Sequence, residues 1–175
     1  MSRRLVLVRH AKAEGSHPRG DHQRVLAAEG VADAVQLGRW LDEQGLAPDH
    51  VLVSTAVRAQ QTLSALWRGI AGEGLDEVHV WSERRIYDGG VDGVLDAVRE
   101  IPEEARTAWV VGHEPVMSTT TWELGDPTWM SSTLREELTS GFPTATAAVL
   151  ELDEVWSGAG FGTARLVGLH TGRAD

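Results

Sequence analysis

Arg9, His10, Arg58 and His113 are the residues of this chain whose types and settings could do chemistry. The run LVLV at 5–8 ends abruptly in Arg9-His10, with Lys12 two positions on, where a strand that only filled a core would end in turn residues. Ser54-Thr55 follows a second apolar run and precedes Arg58 by one helical turn; Gly112-His113 follows a third run. Arginine offers a planar fork of donors that matches phosphate oxygens in pairs. A histidine among arginines can attack phosphorus, and a second can donate to the charge that grows on the equatorial oxygens. Neighbouring guanidiniums also lower an imidazole's pKa, keeping a nucleophilic ring neutral until an anion arrives.

These residues are useful together only if the fold brings them to one place. Residues 3–8 read as a buried strand and 11–27, with Gly15, Pro18 and Gly20, as a long loop. Val31, Ala34, Val35, Gly38 and Leu41 form the stripe of an amphipathic helix over 29–44, stopped at Gly45. A strand at 51–54 leads into a helix from about 56 to 70, with Ser54 or Thr55 as its N-cap. A third strand is expected at 78–81, a helix at 91–101, a fourth strand at 107–113, and a helix from Pro115 to about Leu124. Residues 125–143 read as irregular. Two further strands, 146–155 and 162–171, are joined by the glycine-rich SGAGFG as a hairpin. The alternation predicts one domain over 1–175: an α/β three-layer sandwich with a mainly parallel central sheet and an antiparallel edge strand. In open α/β sheets ligands sit beyond the carboxyl ends of the strands. That rule gathers Arg9, His10, Arg58 and His113 at one edge.

Composition narrows the function. The 175 residues carry a net charge of −10, with one lysine and fifteen arginines, which argues against nucleic acid or an anionic membrane as partner. The arginine preference is a composition effect of the kind a GC-rich genome produces. No apolar run approaches the roughly 18 residues of a membrane span, and Leu5–Val8 is too short for a signal peptide, so a cytoplasmic protein is expected. Without cysteine there is no disulfide and no thiolate metal site. Most of the seven tryptophans are expected in the core or packed at its rim.

LVRHAKAE, DHQRVLAAEG, STAVRAQQT and VVGHEP, in this order and spacing, resemble the histidine phosphatase superfamily, also called phosphoglycerate-mutase-like, from Arg9 to about Leu152. The short chain and RHAKAE look most like the SixA-type phosphohistidine phosphatases. The resemblance implies a phosphoglycerate-mutase-like fold and a metal-independent, cofactor-free phosphatase. His10 would be its nucleophile, Arg9 and Arg58 would bind the phosphoryl group, and His113 would donate to it. Asp21 and Arg24 match a segment that orders the loop. GHEP lacks the second histidine of HExxH and is not a zinc motif.

Related phosphomonoesterases place an acid after the third strand, where this chain reads WSERRIYDGG. Glu83 and Asp88 are the candidate general acids, each also readable as a solvated loop carboxylate. A weak or missing acid favours cleavage of P–N over P–O, because an alkoxide leaving group needs a proton whereas a phosphoramidate leaving as imidazole departs far more easily. Lys12 either lines the mouth and attracts the anionic substrate or is solvated on its loop. The expected substrate is a phosphorylated protein bearing phosphohistidine. The alternatives are a small phosphorylated metabolite, hydrolysed as a phosphomonoester, and a non-catalytic module that binds a phospho-ligand.

Overall fold

The computed structural model describes residues 2–71, 77–153 and 155–175. β1 (Arg3–Arg9), β2 (His50–Ser54), β3 (His79–Glu83), β4 (Thr107–Gly112), β5 (Thr146–Leu152) and β6 (Ala164–Thr171) form one sheet in the order β3-β2-β4-β1-β5-β6. The first four neighbours are parallel; β5 runs antiparallel to β1, and β6 antiparallel to β5. This is the expected sandwich.

Side chains on a strand alternate between faces, so a strand buried on both sides must be apolar throughout. β1 shows how this works: Leu5 and Leu7 join one core, Val6 and Val8 the other, and all four are fully buried. The valine face is covered by α1 (Ala28–Glu43) and α2 (Val57–Gly69). The leucine face is covered by α4 (Gly90–Arg99), α5 (Val116–Leu124) and α6 (Ser132–Ser140), with Ile86 of the one-turn α3 (Arg85–Asp88). Each such side chain removed from water contributes about 1.5–3 kcal/mol. α1 and α2 approach closely at Gly38, where a β-carbon would collide with the Leu66 carbonyl oxygen.

Four expectations change. Residues 125–143 are not irregular throughout, because α6 lies within them; its core-facing pair is only Leu134 and Leu138, set in the polar STLREELTS, and its N-cap is Ser131. Residues 85–88, read as loop, form α3, and the expected 91–101 helix starts at Gly90. α2 is not capped by Ser54 or Thr55: Ala56 is the N-cap, and the Ser54 hydroxyl accepts from the Ala56 N–H while facing the sheet's end. The β5–β6 connection is longer than a tight hairpin, since β5 ends at Leu152 and a 3₁₀ turn at Trp156–Gly158 intervenes. Glu154 of the expected strand lies outside the described residues.

The tryptophans divide unevenly. Trp109 and Trp156 are fully buried, their indole N–H groups donating to the Leu46 and Ala105 carbonyls. Trp40 and Trp67 pack against the core, and Trp67 stacks on Trp109. Those four are the expected majority at the core or its rim; Trp81, Trp122 and Trp129 are exposed.

Candidate active site

Strand order explains why residues far apart in sequence meet. β4 lies between β1 and β2, in register with both: Arg9 pairs with Gly112, and Val53 with Val111. The β1–β4 ladder runs one step further, the His10 N–H donating to the Gly112 carbonyl at 2.9 Å. His113 therefore emerges between His10 and Ser54. The two rings lie 5.2 Å apart, both buried.

The hydrogen bonds of His10 fix its tautomer. Nδ1 lies 2.7 Å from the Ala11 carbonyl, which can only accept, so Nδ1 carries the proton. Nε2 receives the Arg58 Nε–H at 3.2 Å, and a guanidinium can only donate, so Nε2 presents its lone pair. Burial lowers the His10 pKa to about 4, with the charges of Arg58, Arg9 and Arg24 assisting and the Ala11 bond opposing. The ring is neutral near pH 7.

His113 sits at about 3, lowered by burial and then by the charge of Arg58 and the neighbouring His10. Its Nε2 meets the Ser54 hydroxyl at 2.7 Å, and its buried Nδ1 has no hydrogen-bond partner among the described residues. When Ser54 donates to Nε2, Nδ1 carries a proton with nothing yet to receive it. An incoming oxyanion would fill that role.

Arg58, almost wholly buried in the first turn of α2, also donates from Nη1 to the Asp21 backbone carbonyl and from Nη2 to Asp21 Oδ2. Asp21 lies in a 3₁₀ turn of the 11–27 loop, its side chain about half exposed. Burial pushes its carboxyl up, but hydrogen bonds from Arg24, Tyr87 and Arg58 outweigh that and leave it at about 2. The loop is stitched down by Ala11 N–H to Thr62 Oγ1, Ala27 N–H to the Lys12 carbonyl, and Leu26 N–H to Gln61 Oε1. Gly30 makes this possible: a β-carbon there would collide with the Lys12 carbonyl.

Arg9 donates from Nη1 to the Phe142 carbonyl at 2.8 Å, while its Nε is buried without a hydrogen-bond partner among the described residues. Burial lowers its pKa and the charge of Glu114 raises it. The Glu114 carboxylate accepts from the Ser118 N–H and hydroxyl at the start of α5.

The structure thus brings together Arg9, His10, Arg58 and His113, and adds Asp21. It draws the other sequence candidates elsewhere. Glu83 is bound by Arg85 through both the backbone N–H and the guanidinium, which hold its pKa below the usual range. Asp88 pairs with Arg84 at 2.9 Å on the surface. Lys12 pairs with Glu29 at 2.6 Å, both more than half exposed. Arg24 donates to Asp21 and to the Glu14 carbonyl, ordering the loop as expected.

Sequence reasoning missed three members. Ser54 was read only as a cap. Tyr87 of α3 donates to Asp21 Oδ2 at 3.1 Å and stands edge-on to His113. His22 packs edge-on against Tyr87 at 4.7 Å and bonds Thr55 Oγ1 at 2.9 Å. Tyr87 and His22 fall in segments read as loop, where no periodicity marks a side chain as facing a site. Among the described residues no group of three or more His, Cys, Asp and Glu side chains is placed to hold a metal ion.

The arrangement offers a neutral imidazole lone pair ringed by cationic and neutral donors, suited to accepting a phosphoryl group. Comparison with known proteins agrees. Residues 5–86 match the model of the histidine phosphatase superfamily, branch 1. An uncharacterized protein of Mycobacterium tuberculosis is 34% identical over 166 residues, covering 95% of this chain and all of the relative. A structure from Nakamurella multipartitia, assigned as phosphohistidine phosphatase SixA, is 36% identical with a TM-score of 0.84, over 99% of this chain and 98% of that one. Another with the same assignment, from Agrobacterium tumefaciens, is 27% identical with a TM-score of 0.77, over 97% and 98%. With the site's geometry and these full-length likenesses together, the chain belongs to the histidine phosphatase superfamily, in its short SixA-type branch, and is a phosphatase.

Proposed function

We propose that this phosphatase acts through a phosphohistidine intermediate on His10, without a metal, and that its preferred substrate is phosphohistidine in a protein. The observation that carries the reading is the His10 tautomer, with its Nε2 lone pair capped by the Arg58 N–H and its Nδ1–H held by the Ala11 carbonyl.

Nε2 attacks phosphorus, the bond to the leaving group breaks, and that bond's electron pair departs with the leaving group. Arg58 Nε, released from the lone pair it capped, is left beside the arriving phosphoryl oxygens. Arg9 Nε and His113 Nδ1, buried and without hydrogen-bond partners among the described residues, supply further N–H groups. Phospho-His10 keeps its Nδ1–H on the Ala11 carbonyl and is therefore an imidazolium, which leaves readily. Water attacks phosphorus, the P–N bond breaks, its pair returns to Nε2, and a water proton passes to solvent. The arginines carry the charge compensation that a metal would otherwise supply.

The preference for P–N substrates rests on the carboxylates. Asp21 at about 2 is ionised, Glu83 is held ionised by Arg85, and Asp88 lies on Arg84. Neither Asp21 nor Glu83 is a proton donor near pH 7, and Asp88 is engaged by Arg84, which suits an imidazole leaving group better than an alkoxide. Similarity to the SixA-assigned structures supports the same reading.

The test is turnover of a phosphohistidine peptide in excess EDTA against a panel of phosphate esters, with acid and alkali quenches. Acid-labile, alkali-stable phosphate on the wild type, its loss in His10→Ala, and insensitivity to EDTA are expected. Turnover by His10→Ala would sink the mechanism. A 100-fold preference in kcat/KM for an ester would favour a small phosphorylated metabolite. Binding without turnover would leave only a phospho-ligand module.

A further inference from the structure

Asp21 is more than a brace for Arg58. A carboxylate offers about four acceptor positions. Three are taken here, by Arg24 on Oδ1 and by Arg58 and Tyr87 on Oδ2. The fourth, on Oδ1, has no partner among the described residues, and the side chain is 53% exposed. One guanidinium holds both this carboxylate and the attacking nitrogen: Nε on His10 Nε2, Nη2 on Asp21 Oδ2. Beside it stand two aromatic rings, Tyr87 and His22, packed edge-on at 4.7 Å, with Tyr87 also edge-on to His113 at 5.7 Å. A negative acceptor flanked by rings, in a site otherwise built to receive an anion, calls for a ligand that is anionic at one end and a flat cationic donor at the other.

We propose that Asp21, Tyr87 and His22 form a leaving-group subsite that takes the protonated imidazole ring of a phosphohistidine, Asp21 accepting the N–H of the ring nitrogen not bonded to phosphorus. This rests on the proposed function and names the part of the site that selects the substrate class.

The chemistry balances. A phosphorylated imidazole carries a hydrogen on its far nitrogen only when the ring is protonated, and that proton comes from solvent. Asp21 stabilises the cationic ring. As His10 Nε2 bonds to phosphorus, the P–N bond of the substrate breaks and its electron pair neutralises the ring, which leaves as imidazole with its N–H intact. Asp21 is never protonated. It acts on the departing ring as the Ala11 carbonyl acts on phospho-His10, so an acceptor faces the far nitrogen of both imidazoles between which phosphorus moves. A phosphate ester has no such N–H and gains nothing from the subsite.

The experiment measures kcat/KM for a phosphohistidine peptide and for p-nitrophenyl phosphate in wild type, Asp21→Asn and Tyr87→Ala. Asn at 21 keeps a carbonyl that Arg58 can bind, and the backbone carbonyl contact is untouched. In each variant we expect phosphohistidine turnover to fall at least tenfold further than ester turnover. Equal losses on both substrates would show that these residues only position Arg58, and would overturn the inference while leaving the phosphohistidine reading intact. A wild type that turns over the ester and not the peptide would overturn that reading, and the inference with it.

Discussion

Arg58 Nε donates to His10 Nε2 at 3.2 Å while the other two nitrogens of the same guanidinium bind Asp21. One rigid plane therefore holds the lone pair of His10, the proposed nucleophile, and ties down the loop that carries Asp21. A lysine carries equal charge on a single point and cannot span both ends. Arg58→Lys should lower kcat by about 10²- to 10³-fold, the scale on which single preorganised donors act. Single-turnover measurement of His10 phosphorylation checks this; a loss below threefold would mean that charge alone suffices.

Ser54 should matter through His113. With its hydroxyl donating to Nε2, it leaves the proton on Nδ1, which has no partner among the described residues. Ser54→Ala frees the ring to adopt the other tautomer, so kcat should drop by about 10-fold or more with little change in KM. ¹⁵N shifts of the His113 ring, recorded with an oxyanion bound, should report the altered tautomer. An unchanged tautomer alongside lost activity would refute this role.

Acid should destabilise the fold through the two histidines. They sit at about 4 and about 3 when folded, against an ordinary 6.5. As pH falls below about 6.5 the unfolded chain takes up a proton at each ring and the folded chain does not, so stability is full above that value and declines below it. The decline ends near 4 for His10 and near 3 for His113. Its slope is about 1.4 kcal/mol per pH unit for each ring. Asp21, held at about 2 against 3.8, acts lower, its contribution present above about 3.8 and lost towards 2. Urea unfolding of wild type and the His10→Ala/His113→Ala double variant between pH 7 and 4.5 tests the sign: the variant should show the shallower dependence, and parallel curves would contradict it.

Gly30 invites a substitution that ordinarily helps a helix. Alanine in a helix interior usually gains about 0.5–1 kcal/mol over glycine. Here the β-carbon meets the Lys12 carbonyl oxygen, backbone that can yield only by moving the 11–27 loop. Gly30→Ala should therefore cost about 1–3 kcal/mol in urea unfolding and reduce activity with it. A stabilised variant would show that the loop tolerates the shift.

What could be read from the sequence follows from where local signals are strong. LVLV ending in Arg9-His10 is unambiguous because a strand buried on both faces must be apolar throughout, so the charge marks its end. Pro115 and Gly45 likewise mark helix ends close to where they occur. α6 was missed because only Leu134 and Leu138 carry its period, and the rest of STLREELTS is polar. Ser54 was misjudged because a serine before a helix has two uses, and only the strand order, with β4 between β1 and β2, turns it towards His113. Asp21 was correctly read as ordering its loop; its grip on Arg58 depends on a fold-back that no spacing records. Tyr87 joins the site because α3 follows the end of β3, and its neighbour Ile86 anchors that turn in the core.

The alternation of Leu5 and Leu7 with Val6 and Val8 has a dynamic consequence. Because β1 belongs to both cores, its amides have no partial opening that leaves either core whole, and they should exchange with solvent only when the molecule unfolds globally. The 3₁₀ turn at Asp21–Gln23 has no buried residue, is free of that restraint and should exchange orders of magnitude faster. Deuterium would then divide the site in two, with the strand that leads into His10 exchanging slowest and the turn that carries Asp21 and His22 among the fastest segments.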